Sequence, residues 1–329
     1  MRIAFLPTGR TEWNGLVDAF RVLFPGEHHE FDVLPSDGEM RSFPDKYPYP
    51  GFTSNPLTLE HETDPPEAAL ELVERAAREA LGDKHREAAD LVIVLDDLEP
   101  ANMHQPDRVA KVFRNVVIKH VAGLPSQATR EKTQAKLLER VSFHLLVPMV
   151  EALFFADPTA LHNAGVSEEV TEAYPSDRDP EQFEIADSAY LNASDDACSC
   201  WKALGAKKKS RPKWLGLPSW WNANEPDEQG RVISWRQGHP KGYLQWLCKD
   251  GSHKKCTTYD ESIGGGRALS SLSWPALLGR EKHFGYLRAL ISDVSAKLQQ
   301  DPATGKVVGT IANLTDPLQY RPDAVLRNL

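Results

Sequence analysis

The amino-acid sequence predicts an α/β fold in which a mostly parallel sheet is flanked by helices. Two observations carry this prediction. Short apolar runs of strand length alternate along the chain with longer segments whose apolar residues recur at helical spacing, and this alternation is typical of parallel strands joined by helices. In addition, the run at residues 91–95, LVIVL, is apolar at every position, as expected for a parallel strand that is covered on both faces.

The elements follow from these patterns in chain order. Apolar runs predict four strands, at residues 2–6, 31–34, 91–95 and 141–147. Helical spacing predicts a helix that begins near Thr11 and ends before Pro25, and further helices at residues 67–81, 107–121, 130–140 and 280–298. Segments without a period are interpreted as an insertion or loop at residues 36–66 and as a flexible turn at the triple glycine 264–266.

This organisation predicts two parts of the chain. Residues 1–165 form the α/β domain, and residues 166–329 form a C-terminal α+β extension that packs on it. The change occurs after an acidic, turn-rich connector, where the composition becomes basic and aromatic.

Length and composition bound the class of protein. A chain of 329 residues with 41% hydrophobic and 26% charged residues is ordinary for a soluble globular protein. No apolar stretch approaches the roughly 18 residues needed to cross a bilayer, and residues 1–7 lack the long apolar region of a secretory signal. We therefore expect no membrane contact and a cytoplasmic location. The formal net charge of -9 argues against a general nucleic-acid coat protein, so any contact with nucleic acid must be local.

Three acidic residues, Asp96, Asp97 and Glu99, directly follow the apolar run 91–95. Because ligands of open α/β sheets bind beyond the carboxyl ends of the strands, carboxylates at this position indicate a site for a metal ion. The alternative is that these residues only cap the helix that begins near Pro106. The sequence leaves open whether Asp96 or Asp97 is the better ligand.

Glu151 lies in an apolar segment immediately after the fourth predicted strand. A glutamate among so many apolar residues needs a cation, an arginine or water, because an unpaired buried charge is costly. Its place at a strand end favours a functional role. The alternative is a glutamate that is stabilised by the positive end of a helix dipole.

The four cysteines form two pairs that are distant in sequence. They are Cys198, Cys200, Cys248 and Cys256. In a reducing cytoplasm such cysteines favour zinc over disulfides. Their spacing differs from that of common zinc sites, so ordinary buried or surface thiols are the default interpretation and a Zn²⁺ site is the alternative.

Residues 207–221 combine basic and aromatic side chains in an otherwise acidic chain. The basic residues are Lys207, Lys208, Lys209, Arg211 and Lys213, and three tryptophans follow them. Basic groups neutralise phosphates and aromatic rings stack on unpaired bases, so the segment predicts a contact with nucleic acid. A solvated basic loop beside a tryptophan-containing core is the alternative.

Motifs at three predicted strand ends share a family pattern: GRTE at residues 9–12, LDDLE at 95–99 and EALFFAD at 151–157. With HPKGYL at residues 239–244, YDE at 259–261 and HF at 283–284, they resemble a Toprim-like family of prokaryotic defence-island proteins. The resemblance touches most of the chain. It implies a Toprim-like (Rossmann-like) domain that binds Mg²⁺ or Mn²⁺ for phosphodiester chemistry on DNA or RNA, and an ATPase partner in anti-phage defence.

The resemblance also implies a convergence of acidic residues at one edge of the sheet. The expected metal ligands are Glu12, Asp96, Asp97, Glu99 and Glu151. The expected catalytic residues are Glu12, Asp97, Glu151 and Lys241. Glu12 would hold metal or act as general base, while Lys241 or Arg10 would offset charge on a phosphate. His239, a lone histidine, is expected to be packed or hydrogen-bonded.

Two positions depart from the Toprim pattern. The chain has Thr8-Gly9-Arg10-Thr11-Glu12 where that pattern often has Glu-Gly before Thr-Glu, so Glu12 must replace the first glutamate, and the Asp-x-Asp pair becomes Asp97-Leu98-Glu99. Such changes fit metal binding through shifted ligands or a member that has lost catalysis. The leading hypothesis is therefore a Mg²⁺-dependent nuclease. The alternatives are a non-catalytic subunit that binds a partner or senses phage, and a phosphoryl-transfer enzyme acting on a small nucleotide.

Overall fold

The computed structural model describes residues 1–42, 47–84, 86–168, 174–193, 235–250 and 257–306. Within these ranges the sheet has four strands: β1 (Arg2–Pro7), β2 (Glu30–Val33), β3 (Leu91–Asp97) and β4 (Val141–Leu146). They lie in the order β2-β1-β3-β4, and all neighbouring strands are parallel. The predicted α/β class, with a parallel sheet flanked by helices, is thus confirmed, and the architecture is compatible with a Rossmann-like fold.

Helices connect and cover these strands. In the N-terminal half they are α1 (Arg10–Leu23), α2 (Asp37–Ser42), α3 (Glu67–Leu81), α4 (Glu99–Asn102), α5 (Pro106–Ala122), α6 (Gln127–Arg140), α7 (Glu151–Phe154) and α8 (Pro158–Ala164). In the C-terminal half they are α9 (Ser188–Leu191), α10 (Pro240–Leu247), α11 (Gly266–Ser270), α12 (Trp274–Leu278) and α13 (Gly285–Leu298). Short 3₁₀ turns occupy Glu60–Glu62 and Pro180–Gln182, and a π-helical turn occupies Glu261–Gly265. No helix in the described ranges is both long enough and apolar enough to cross a membrane.

Alternating residues of the strands supply two separate apolar layers. Ala4 of β1 packs with α3, α5 and α6 on one face of the sheet. Phe5 packs on the other face with α1, α8 and the C-terminal helices, where its ring centroid lies 4.8 Å from that of Phe20. Phe20 in turn meets Trp274 of α12 edge-on at 6.1 Å. Both faces of the sheet are therefore covered, which explains why β3 is apolar at nearly every position.

The C-terminal helix α13 is fixed to the sheet by buried polar contacts. The Ser142 hydroxyl of β4 donates a hydrogen bond to Oδ2 of Asp293, and Nε2 of His144 lies 3.3 Å from the same oxygen. At the start of α13, Glu181 accepts hydrogen bonds from the backbone N–H of Tyr286 at 3.1 Å and of Leu287 at 2.9 Å. The core on this face draws on both halves of the chain, and the boundary at residue 165 stays a prediction.

Two predictions about the C-terminal half need correction. The last helix begins at Gly285 and not at residue 280, because Phe284 adopts a left-handed backbone with φ 62. The α+β character of the extension stays a prediction, since much of residues 166–329 lies outside the described ranges, and an isolated bridge joins Lys249 to Thr257. The triple glycine is not a flexible turn but part of the π-helical turn and α11.

The reason for these glycines is a close approach between α11 and α1. A Cβ atom on Gly265 would lie 2.6 Å from Oγ1 of Thr11, and one on Gly266 would lie 2.7 Å from Cβ of Asn14. Such distances are too short for a real side chain. Glycine is thus needed here because only a residue without a side chain lets the two backbones meet.

Candidate active site

The site lies at the carboxyl edge of the sheet, where β1, β3 and β4 end side by side. Pro7 pairs with Leu95, and Asp97 pairs with Leu146. Helix α1 starts shortly after β1, Asp97 is the last residue of β3, and Glu151 is the first residue of α7 after β4. The parallel topology therefore brings together acidic residues that are far apart in sequence.

Glu12 lies in the first turn of α1 and is 3% exposed. Its carboxylate folds back over the start of the helix, where a Cβ atom on Gly9 would overlap with it. Burial raises the pKa of Glu12 to about 8, and the negative charge of Glu151 adds to this effect while Lys241 opposes it. Glu12 thus holds a proton at neutral pH more readily than an exposed glutamate does.

Asp97 is held by the chain that leads into α7. Its Oδ1 accepts a hydrogen bond from the backbone N–H of Val150 at 3.0 Å. Burial raises the pKa of Asp97 well above its usual value, and the charges of Glu12 and Glu151 raise it further. The structure therefore places Glu12, Asp97 and Glu151 within electrostatic reach of one another.

Glu151 is fully buried and its two carboxylate oxygens differ in their surroundings. Oε1 accepts a hydrogen bond from the Tyr259 hydroxyl at 2.9 Å and lies 3.5 Å from Nζ of Lys241. Oε2 is buried and has no hydrogen-bond partner among the residues that the structure describes. Burial raises the pKa of Glu151, against the opposing effects of Lys241 and the Tyr259 hydrogen bond. A buried carboxylate oxygen without a partner is costly, and such an oxygen is able to accept a hydrogen bond or to bind a cation.

Lys241 supplies a positive charge beside two of the acidic residues at this edge, Glu151 and Glu261. It lies in the first turn of α10, and its Nζ is 3.5 Å from Oε1 of Glu151 and 3.5 Å from Oε1 of Glu261. Burial alone would lower the pKa of Lys241, but the surrounding carboxylates outweigh it and raise the pKa well above its usual value. Lys241 therefore stays protonated, and one ammonium group faces several acidic side chains.

Asp96 faces away from this cluster, as expected for neighbouring residues of a strand. Thr8 donates a hydrogen bond to its Oδ1. The N–H of Phe52 and the hydroxyl of Thr53 donate to its Oδ2, each at 3.2 Å. Burial raises the pKa of Asp96 to about 6, although these hydrogen bonds act in the opposite direction. Asp96 therefore ties the loop around residues 51–53 to the sheet, and the geometry favours Asp97 over Asp96 as a metal ligand.

Glu99 and Arg10 lie at the margin of the cluster. Glu99 is partly exposed and has a left-handed backbone with φ 60, and its N–H donates to the carbonyl of Pro148 at 2.7 Å. Its charge contributes to the raised pKa of both Asp96 and Asp97. Arg10, the exposed first residue of α1, is two residues from Glu12. Glu99 thus adds negative charge near the end of β3, and Arg10 places a positive charge at the start of α1.

The C-terminal half adds two residues that the sequence did not assign to the site, Tyr259 and Glu261. The signal for them was the YDE motif at residues 259–261, which entered only as part of the family resemblance. His239 is buried, as expected, and its Nδ1 accepts a hydrogen bond from the N–H of Gly242 at 3.1 Å. It caps α10 and so helps to place Lys241 in the first turn.

The predicted nucleic-acid and zinc residues are largely beyond what the structure covers. Lys207, Lys208, Lys209, Arg211 and Lys213 lie outside the described residues, as do Cys198, Cys200 and Cys256. Cys248 is buried in the apolar layer that includes α1 and the C-terminal helices. Burial raises the pKa of its thiol to about 12, which disfavours the thiolate that zinc would need.

Glu12, Asp97 and Glu151 influence one another electrostatically, but they do not form a preformed metal site. In the ranges that the structure covers, no three Asp, Glu, His or Cys side chains are already arranged to hold a metal ion. Comparisons of the chain with models of known families, with curated proteins and with solved structures found no match.

Proposed function

We propose that this protein is a Mg²⁺- or Mn²⁺-dependent nuclease of the Toprim-like class that acts in prokaryotic anti-phage defence together with an ATPase partner. The observation that supports the chemistry is the convergence of Glu12, Asp97 and Glu151 at the carboxyl edge of three neighbouring strands. The substrate class, the defence role and the partner depend on the sequence resemblance.

The residues at this edge fit a hard divalent cation. Mg²⁺ takes oxygen ligands and is usually held by one or two carboxylates plus water and substrate phosphate. Asp97 and Glu151 offer such oxygens, and Oε2 of Glu151 is buried without a partner in the described part of the chain. Burial raises the pKa values of Glu12 and Asp97, and repulsion between the carboxylates raises them further. A divalent cation would relieve that repulsion.

The chain's own groups have distinct tasks in phosphodiester cleavage. When bound, the cation supplies Lewis-acid stabilisation of the charge on the phosphate. Burial and Glu151 raise the pKa of Glu12 to about 8 in the metal-free protein. The positive charge of the cation would lower this pKa, and Glu12 would then accept a proton from an attacking water. The ammonium of Lys241 offsets negative charge on the phosphate in the transition state.

The test begins with metal binding, which needs no partner. Calorimetric titration of the purified chain with Mn²⁺ is compared with that of an Asp97→Asn, Glu151→Gln double variant, and Asp18→Asn serves as the control because Asp18 is an exposed acid on α1. We expect binding by the wild type and the control and its loss in the double variant. Wild-type protein that binds Mn²⁺ no better than the double variant would contradict the proposal.

Cleavage is then measured with labelled single- and double-stranded DNA and RNA in Mg²⁺ or Mn²⁺. The same variants are used, alone and with any ATPase that co-purifies with the chain. We expect metal-dependent products that the double variant does not form. Cleavage that is equal in wild type and double variant would indicate a contaminant and count against the assignment.

A second candidate is a non-catalytic, partner-binding or phage-sensing subunit. It is favoured by one observation, namely that Lys241 already gives the acidic cluster an internal counter-charge through Glu151 and Glu261. Stable co-purification of a partner, without metal binding by this chain or cleavage by the complex, would select this function over the first.

A further inference from the structure

Tyr259 donates a hydrogen bond to a carboxylate of this cluster from the far half of the chain. Its hydroxyl donates to Oε1 of Glu151 at 2.9 Å across a separation of 108 residues. Nζ of Lys241 lies 3.5 Å from the same oxygen. Both donors therefore engage Oε1, and Oε2 is left without a partner among the described residues.

The surroundings of Tyr259 are built to hold that hydroxyl in place. Tyr259 is 3% exposed, and its N–H donates to Oγ1 of Thr257 at 3.1 Å. A Cβ atom on Gly265 would lie 2.9 Å from the Tyr259 hydroxyl oxygen, so a glycine at position 265 leaves room for it. Burial thus holds the ring of Tyr259 in place, and the backbone of Gly265, which carries no side chain, leaves space for the hydroxyl oxygen.

We propose that Tyr259 is a positioning residue for the cation site, which fixes Glu151 through Oε1 so that Oε2 is presented as the metal ligand. The inference rests on the proposed function, since it assumes that Glu151 binds a divalent cation. Residues that orient metal ligands through hydrogen bonds lower the entropic cost of binding. Their removal commonly weakens metal affinity or activity by about 10- to 100-fold.

Tyr259→Phe is the direct test because it removes the hydroxyl, keeps the ring and changes no charge. The matched control is Tyr243→Phe, which removes a phenol hydroxyl that lies 3.3 Å from Oδ2 of Asp187. We expect Mn²⁺ affinity to fall by about 10- to 100-fold in Tyr259→Phe and to stay at the wild-type value in the control. Thermal unfolding in EDTA shows whether both variants are folded at the temperature of titration.

A purely structural role for Tyr259 is separated from a positioning role by a thermodynamic cycle. In the Glu151→Gln background, Tyr259→Phe should cause no further loss of Mn²⁺ affinity, because its effect passes through Glu151. If Tyr259→Phe does not yield folded protein, Thr257→Val is titrated in its place, since it removes the Oγ1 atom that accepts the hydrogen bond from the Tyr259 N–H and so loosens the position of the phenol. A smaller loss of Mn²⁺ affinity is expected, and unchanged affinity overturns the positioning role.

The possible outcomes separate the two proposals. If the wild type binds Mn²⁺ and Tyr259→Phe binds it with the same affinity, the proposed function is intact and the positioning role is overturned. A loss that persists unchanged in the Glu151→Gln background also overturns it. Absence of Mn²⁺ binding by the wild type removes the proposed function and this inference together.

Discussion

Asp96 and Asp97 show how two adjacent carboxylates acquire different tasks. Successive side chains of a strand point to opposite faces, so Asp97 joins Glu12 and Glu151 while Asp96 faces the loop at Phe52. Asp96 has three donors, one being Thr8, and Asp97 has like charges around it. One carboxylate is satisfied by the protein itself, and the other is available to a cation.

This difference predicts opposite effects of the two asparagine substitutions. Asp96→Asn places an amide donor against groups that already donate, so we expect it to lower the free energy of unfolding by about 1–3 kcal/mol with little change in Mn²⁺ affinity. Asp97→Asn removes repulsion within the cluster, so its free energy of unfolding in EDTA should equal or exceed that of the wild type. The same substitution should abolish Mn²⁺ binding. Urea unfolding and calorimetry measure both. Loss of metal binding in Asp96→Asn with unchanged stability would reverse the assignment.

Glu12 predicts a pH dependence of stability in metal-free buffer. Its pKa is about 8 in the folded protein and lower in the unfolded chain, so the folded state binds more protons between these two values and stability falls as pH rises through them. Glu12→Gln cannot ionise. We expect it to raise the free energy of unfolding at about pH 9 by on the order of 3 kcal/mol and to have a small effect near about pH 5.

The measurement is urea unfolding at both pH values in EDTA, with Asp18→Asn as the control on the exposed face of α1. An equal effect of Glu12→Gln at the two pH values would show that Glu12 ionises normally in the folded protein.

The sequence predicted the acidic residues and Lys241 but not the role of Tyr259. Asp97 and Glu151 are recognisable because each lies at the end of an apolar run, and Glu12 because of the GRTE motif. The contact of Tyr259 with Glu151 is different, since it joins residues that are 108 positions apart and depends on how the C-terminal half docks. No local pattern contains that information.

At the scale of elements, the site depends on how closely α11 and the π-helical turn approach α1. A Cβ atom on Gly15 would lie 2.5 Å from the carbonyl oxygen of Gly266, and Oγ1 of Thr11 donates to the carbonyl of Glu261 at 3.3 Å. Helix α1 carries Glu12, and the opposing turn follows Tyr259. The distance between these elements therefore sets the distance between the two halves of the site.

Gly15→Ala tests this contact. The added methyl group has no space, so we expect a loss of about 1–3 kcal/mol in unfolding free energy from overpacking and weaker Mn²⁺ binding as α1 moves outward. Gly38→Ala is the matched control, because Gly38 is also helical and a Cβ there meets no described atom within 4 Å. The control should gain about 0.5–1 kcal/mol. Equal stability of both variants by urea unfolding would argue against the close contact.

Helices and strands were predictable where the repeat of apolar residues extended over enough positions to show a helical or strand period. Helix α3 begins and ends where its apolar spacing and Gly82 predicted. Strand β3 begins with its apolar run and continues through Asp96 and Asp97. The five residues of α11 are too few to show a period, and glycines normally break helices. Their helical state is imposed by tertiary packing, which local propensity does not encode.

At the scale of the whole molecule, the C-terminal half is part of the core and of the site at once. Trp274 and Leu290 lie in the same apolar layer as Phe5 of the sheet and Leu16 and Phe20 of α1. The same half provides the side chains that engage Glu151. The predicted division at residue 165 therefore separates the chain into segments that share one apolar layer.

This sharing predicts that residues 1–165 do not fold cooperatively alone. Burial of a large apolar side chain contributes about 1.5–3 kcal/mol, so uncovering several of them removes an amount comparable to the whole stability of a domain, about 5–15 kcal/mol. We expect the fragment to bind a hydrophobic dye and to unfold without a sigmoidal transition in urea, whereas the full chain unfolds cooperatively. A cooperative transition in the fragment, with Mn²⁺ affinity equal to that of the full chain, would show that the N-terminal half is an independent domain and that the site is complete without Lys241 and Tyr259.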